Sequence, residues 1–120
     1  MKIVVGETKV DIVEADDIVA GSVNIHSIKF EWDSIWDNYT KKVIFKTKNG
    51  SRTIPLDDTN TCIIPYEAML YPGELQIGIL GESDDKIRPT RWSADITIAN
   101  GAIEADDLEF IFPTAEEASF

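Results

Sequence analysis

Apolar and polar residues alternate with period two along most of this chain. Over residues 8–13, Val10 and Ile12 share one face while Lys9 and Asp11 share the other. Over 75–79, Leu75, Ile77 and Ile79 alternate with Gln76 and Gly78. Over 91–99, Trp92, Ala94, Ile96 and Ile98 alternate with Ser93, Asp95 and Thr97. Over 41–48, Val43, Phe45 and Thr47 oppose Lys42, Ile44, Lys46 and Lys48. Successive side chains of a strand point to opposite faces, so each stretch predicts a half-buried strand. Asn49-Gly50 comes next, a dipeptide suited to a two-residue hairpin turn, which makes 51–54 the predicted return strand. The predicted core is Ile28, Phe30, Val43, Phe45, Leu75, Ile77, Trp92, Ile96 and Ile98.

Two stretches depart from simple alternation. Between 23 and 32 the phase changes: Val23 and Ile25 are odd, whereas Ile28, Phe30 and Trp32 are even. A slip of one residue would turn half of them to the wrong face, so a bulge or bend is expected near His26-Ser27. Residues 65–70, Pro-Tyr-Glu-Ala-Met-Leu, predict one short helical turn, with Pro65 suited to its start. Turn signals recur at Gly6, Gly21, Asn49-Gly50, Pro72-Gly73, 83–85 and Asn100-Gly101. This spacing predicts an all-β, antiparallel sandwich or barrel of about eight short strands. No linker divides the chain, so 1–120 reads as one domain with an acidic tail at about 113–120.

Composition narrows the function classes. A chain of 120 residues can bury roughly two thirds of its unfolded surface, enough for a core without disulfides or metals. The formal charge of -11 argues against nucleic acid and anionic membranes as partners, since both select clustered positive charge. The start, MKIVVGETKV, has no signal-peptide pattern, and no apolar run approaches the ~18 residues of a membrane span. A lone Cys62 excludes an intrachain disulfide, and a lone His26 cannot anchor a multi-histidine metal site. A His26–Cys62 dyad would need the thiol beside its base, yet 61–64 reads as buried strand, so a packed, inert thiol is expected. No nucleophile elbow is present to pair a serine with His26, and none of Asp57-Asp58, Glu82 with Asp84-Asp85, or Asp106-Asp107 has the ligand spacing of a calcium loop. No catalysis, cofactor or metal is therefore expected.

Aromatic and charged residues are the remaining candidates. Trp32 and Trp92 are in phase with core strands, whereas Trp36 and Tyr39 fall in the polar stretch 31–40 and are the better surface candidates. Five of the 11 basic residues, Lys41, Lys42, Lys46, Lys48 and Arg52, lie in one predicted hairpin. Residues 101–120 carry six acids and no base.

Six segments, in order, resemble a family of small N-terminal domains of tail, baseplate and fibre proteins from phages and prophages of Gram-positive bacteria. They are Val19-Ala20-Gly21-Ser22-Val23-Asn24; Phe30-Glu31-Trp32 with Trp36-Asp37; Lys42-Val43-Ile44-Phe45-Lys46; Ile64-Pro65-Tyr66-Glu67-Ala68-Met69-Leu70 running into Pro72-Gly73-Glu74-Leu75-Gln76-Ile77-Gly78; Pro89-Thr90-Arg91-Trp92; and Ile98-Ala99-Asn100-Gly101-Ala102. The segments run from Val19 to Ala102, and the similarity as a whole covers residues 1 to about 105. The resemblance implies an immunoglobulin-like β-sandwich without catalysis that docks onto a virion, similar to baseplate upper proteins of lactococcal phages. Other virion proteins and further copies of the chain, a trimer among the arrangements, are the partners it implies. No heptads follow Gly101, where such proteins usually carry a stem or receptor-binding module, so the expectation covers docking rather than host recognition. The expected interaction surface is Lys42, Lys46, Lys48 and Arg52 with Trp36 and Tyr39. Two rivals stand beside it: a carbohydrate-binding module stacking Trp36 and Tyr39 on a host glycan, and an unrelated bacterial adhesin or assembly domain.

Overall fold

The computed structural model of the protein describes residues 1–102. The acidic run beyond Ala102, including the tail at 113–120, lies outside the described residues.

Among the described residues ten strands form: β1 (Lys2–Val5), β2 (Val10–Glu14), β3 (Ile18–Val19), β4 (Ser27–Trp32), β5 (Thr40–Thr47), β6 (Gly50–Pro55), β7 (Thr61–Ile63), β8 (Gly73–Ser83), β9 (Lys86–Pro89) and β10 (Ile96–Ala99). The smaller sheet has the order β2-β1-β4-β7, and the larger has β3-β10-β8-β5-β6 with β9 added along the far half of β8. Ile3, Val5, Ile28 and Phe30 of one sheet and Val43, Phe45, Leu75, Ile77, Ile79, Ile96 and Ile98 of the other build a common buried core. The chain is thus an all-β sandwich, as the alternation predicts. Its sheets are mixed rather than purely antiparallel, because β1 runs parallel to β4 and β3 parallel to β10.

Four sequence expectations shift. The phase change near His26-Ser27 is not a bulge within a strand: β4 begins at Ser27, and 23–26 is irregular chain with Asn24 at φ 55 and Ile25 exposed. The β5–β6 loop is Lys48-Asn49 rather than Asn49-Gly50. Gly50 already pairs with Thr47 and opens the return strand at φ 133, a conformation side chains disfavour. The helical turn shrinks to a 3-10 turn over Tyr66–Met69.

The fourth shift matters most for the surface. The predicted strand over 91–99 survives only as β10, because 90–95 arches away from a regular ladder. Thr90 and Ser93 nonetheless hold it to β8. Each donates its backbone N–H to a β8 carbonyl, of Ile79 at 2.9 Å and Ile77 at 2.8 Å. The N–H groups of Ile79 and Ile77 return to the two hydroxyls, Thr90 Oγ1 and Ser93 Oγ, both at 2.9 Å. Side-chain oxygens thus replace ladder carbonyls, and the facing pattern inverts: Ser93 is buried while Trp92 and Ala94 face out. Trp92, expected in the core, is 42% exposed.

Candidate functional site

Of the residues expected to form an interaction surface, Trp36 does not reach the surface at all. Asp33 caps the 3-10 turn Ser34–Trp36, its Oδ1 accepting the Ile35 N–H at 3.0 Å, and the turn swings the indole inward. Trp36 is 0% exposed, and its Nε1 donates to the Gly6 carbonyl at 2.7 Å. Gly81 of β8 makes the room: a Cβ there would stand 2.6 Å from the indole Cζ3. Tyr39 is half-buried, edge-on to Trp36 with centroids 5.8 Å apart, and the Arg88 guanidinium lies 5.4 Å from its ring. The polar stretch 31–40 therefore folds back on the sandwich, and the expected Trp36–Tyr39 platform is corrected to a packed aromatic corner.

The basic residues of the hairpin also separate. Lys42 and Lys46 alternate with the buried Val43 and Phe45, which puts them on the outer face of the larger sheet. Arg52 is paired opposite Phe45 and so belongs to the inward face, while Lys48 sits in the turn. Lys42 Nζ is bound to Glu82 at 3.0 Å, and Lys41 Nζ lies 5.0 Å from the Trp32 ring. The hairpin thus presents no single basic patch.

An apolar stripe forms instead on the outer face of the larger sheet. The register aligns Ile44 with Gly78, Lys42 with Leu80, Leu80 with Pro89, and Glu82 with Ile87, and partners in register share a face. Trp92 lies flat over Gly78, where a Cβ would meet its Cζ3 at 3.0 Å. The Lys46 ammonium stands 5.0 Å from the same ring. Ile87 at 72% exposure, Pro89, Trp92, and the half-buried Ile44 and Leu80 make a continuous run beside Lys46. Exposed apolar surface of this kind with a charged rim suits a protein contact. Sequence reasoning placed Trp92 inside; the signal it lacked was Gly78, a glycine inside a strand that leaves bare backbone for a ring to cover.

A second feature is an open groove of about 510 Å³ between β6 and β7, the edge strands of the two sheets. Ile54, Cys62, Ile63, Pro65 and Tyr66 line it, with Arg52 and Asp57 at its rim.

Cys62 is buried, its Sγ 3.4 Å from the Ile63 carbonyl; burial, with the nearby Asp57 charge, pushes the thiol up to about 11. His26 Nδ1 meets Asp16 Oδ2 at 2.8 Å, and the Met1 amino group meets Asp16 Oδ1 at 3.0 Å. The hydrogen bonds from His26 and then from the Met1 amino group hold the Asp16 carboxyl below its ordinary value. Asp57 is likewise lowered by accepting from the Thr59 hydroxyl and backbone N–H. Among the described residues no three His, Cys, Asp or Glu side chains group as a metal site would require, and no helix is long and apolar enough to cross a membrane. No protein-family model and no curated protein matches the chain.

Proposed function

We propose that this protein is a non-catalytic structural component of a bacteriophage or prophage virion, an assembly or anchoring domain of the tail, baseplate, neck or capsid fibre. The observation that carries the reading is the outer-face stripe of Ile44, Leu80, Ile87, Pro89 and Trp92 beside Lys46. A monomer with no partner has little reason to leave an indole and an isoleucine on the same sheet face largely in water. The resemblance of six ordered segments to virion-docking domains supplies the kind of partner. The stripe includes residues from three of those segments: Ile44 and Lys46, Gly78, and Pro89 with Trp92. The immunoglobulin-like description of the sandwich belongs to the same proposal.

The contact is mixed in character, apolar at Trp92 and Ile87 and cationic at Lys46. Lys42 is already engaged by Glu82 and contributes less free charge. The glycan-binding alternative loses the platform it relied on, since Trp36 is fully buried. The test is co-sedimentation of the full chain with the products of the genes that flank its own, where virion proteins are expected. Complex formation that Ile87→Asp abolishes supports docking through the stripe; a positive glycan array with no virion partner would favour the lectin reading.

A further inference from the structure

The hairpin register determines which backbone groups of β6 point away from the larger sheet. Leu56 N–H donates to the Lys41 carbonyl at 2.9 Å, so residues 41 and 56 form a hydrogen-bonded pair. Bonded and unbonded pairs alternate in an antiparallel ladder, and the pairing runs Val43 to Ile54, Phe45 to Arg52 and Thr47 to Gly50. The N–H and C=O groups of Ile54, Arg52 and Gly50 are therefore turned to β5, and those of Ser51 and Thr53 outward. Pro55, the next outward position, offers only a carbonyl. β6 has no further neighbour among the described residues, and Gly50, Ser51, Arg52 and Thr53 are all exposed. An open edge of this kind is a template for another strand.

We infer that β6 pairs antiparallel with β6 of a second copy of this chain, across a two-fold axis at Thr53. Two registers engage the Ser51 and Thr53 N–H groups of both copies within the strand. Centred on Arg52, the pairing sets two guanidinium groups directly opposite each other, which is unfavourable. Centred on Thr53, it sets Arg52 opposite Ile54 of the second copy, where the arginine stem can lie over the isoleucine. Thr53 then bonds Thr53, and Ser51 N–H meets the Pro55 carbonyl, the one group that Pro55 still offers. The same register carries each hairpin tip past the far end of the other β6, so that Lys48 comes beside Asp58. Neither Lys48 nor Asp58 has an ion-pair partner among the described residues. Asp57, next to it, is already held by the Thr59 N–H and hydroxyl. Symmetry makes the Lys48–Asp58 contact twice. The formal charge of -11 opposes self-association in general. Around this edge the charges balance, with Lys46, Lys48 and Arg52 against Asp57 and Asp58. Arg52 and Ile54 also line the groove beside Cys62, Pro65 and Tyr66, so the second copy covers its open side. An axis normal to the sheet keeps both outer faces on one side, and both Trp92 stripes stay open.

Sedimentation velocity and residue-resolved amide exchange of the full chain alone test this, so the outcome is independent of the proposed function. Between ~1 μM and ~1 mM the chain should pass from monomer to dimer. In the dimer the Ser51 and Thr53 amides should exchange at least about tenfold more slowly than in the monomer, while the core amides of Phe45 and Ile77 stay protected in both. Thr53→Pro removes an outward N–H that β5 does not use, and should abolish the dimer with core protection kept. Lys48→Glu should weaken the dimer a few-fold, and the charge swap Lys48→Glu/Asp58→Lys should restore it. A strict monomer throughout, a dimer in which Ser51 and Thr53 exchange freely, or a dimer that survives Thr53→Pro would overturn the inference. A charge swap that fails to restore association would overturn the Thr53-centred register, and a dimer lost with Trp92→Ala would assign the self-contact to the outer-face stripe instead.

Discussion

Trp36 and Trp92 occupy each other's expected places, and the reason lies in their immediate neighbours. Polarity around Trp36 suggested a surface loop, yet Asp33 caps a 3-10 turn that carries the ring inward over Gly81. Trp36→Ala should cost about 3–5 kcal/mol in urea unfolding, the usual cost of emptying a large buried aromatic site. A loss below about 1 kcal/mol would mean that the aromatic corner is not packed. Cys62 gives a kinetic check. With its thiol pushed up to about 11 by burial, alkylation at neutral pH should be slow and should track global unfolding. Rapid labelling of the native protein would contradict its burial. Asp16 gives the pH dependence. Its carboxyl is held below the ordinary value in the folded state, so the stability it contributes is present above about pH 4 and is lost as pH falls through its folded pKa. The stability difference between the native chain and Asp16→Asn should shrink on acidification below pH ~4; a difference that persists there would remove the Asp16 contacts as its cause.

At the level of elements, alternation located β5, β8 and the core face of β10 because each buries one side, whereas β6, exposed along most of its length, followed from the Asn49-Gly50 turn signal. Alternation failed at 90–95 for a definite reason. Ser93 and Thr90 use hydroxyl oxygens as acceptors for β8, so a polar residue faces inward and an indole faces out. A pattern based on side-chain polarity cannot register a hydroxyl that stands in for a carbonyl. Ser93→Ala should therefore leave the Ile77 N–H buried and unpaired, costing about 1–3 kcal/mol in urea unfolding, with no loss of apolar contact to account for it. An unchanged midpoint would mean that water or backbone replaces the hydroxyl. The hairpin was legible but displaced by one residue. Asn49-Gly50 marks the turn region correctly, while Gly50 is needed for its positive φ at the strand start rather than in the loop.

On the scale of the whole molecule, the proposed interaction surface was the least legible part, because it depends on which residues the register brings onto one face. Lys42, Lys46, Lys48 and Arg52 are close in sequence, yet pairing sends Lys42 and Lys46 to one face and Arg52 to the other. Ile44, Ile87 and Trp92 come from distant stretches and share one face only in the folded sheet. A contact through them would combine apolar burial with the Lys46 ammonium, which stands over the Trp92 ring. Raising salt should weaken it only partly, since the Debye length falls from ~10 Å at 0.1 M to ~3 Å at 1 M while apolar burial persists. Trp92→Ala should weaken docking more than Lys46→Glu, while neither unfolds the domain. The most direct measurement is sedimentation velocity of the full chain, alone and mixed with the products of the genes that flank its own, at low and high salt. The account predicts a faster-sedimenting complex that survives moderate salt and is lost with Ile87→Asp or Trp92→Ala. A chain that remains a monomer and binds none of those proteins under any of these conditions would contradict it.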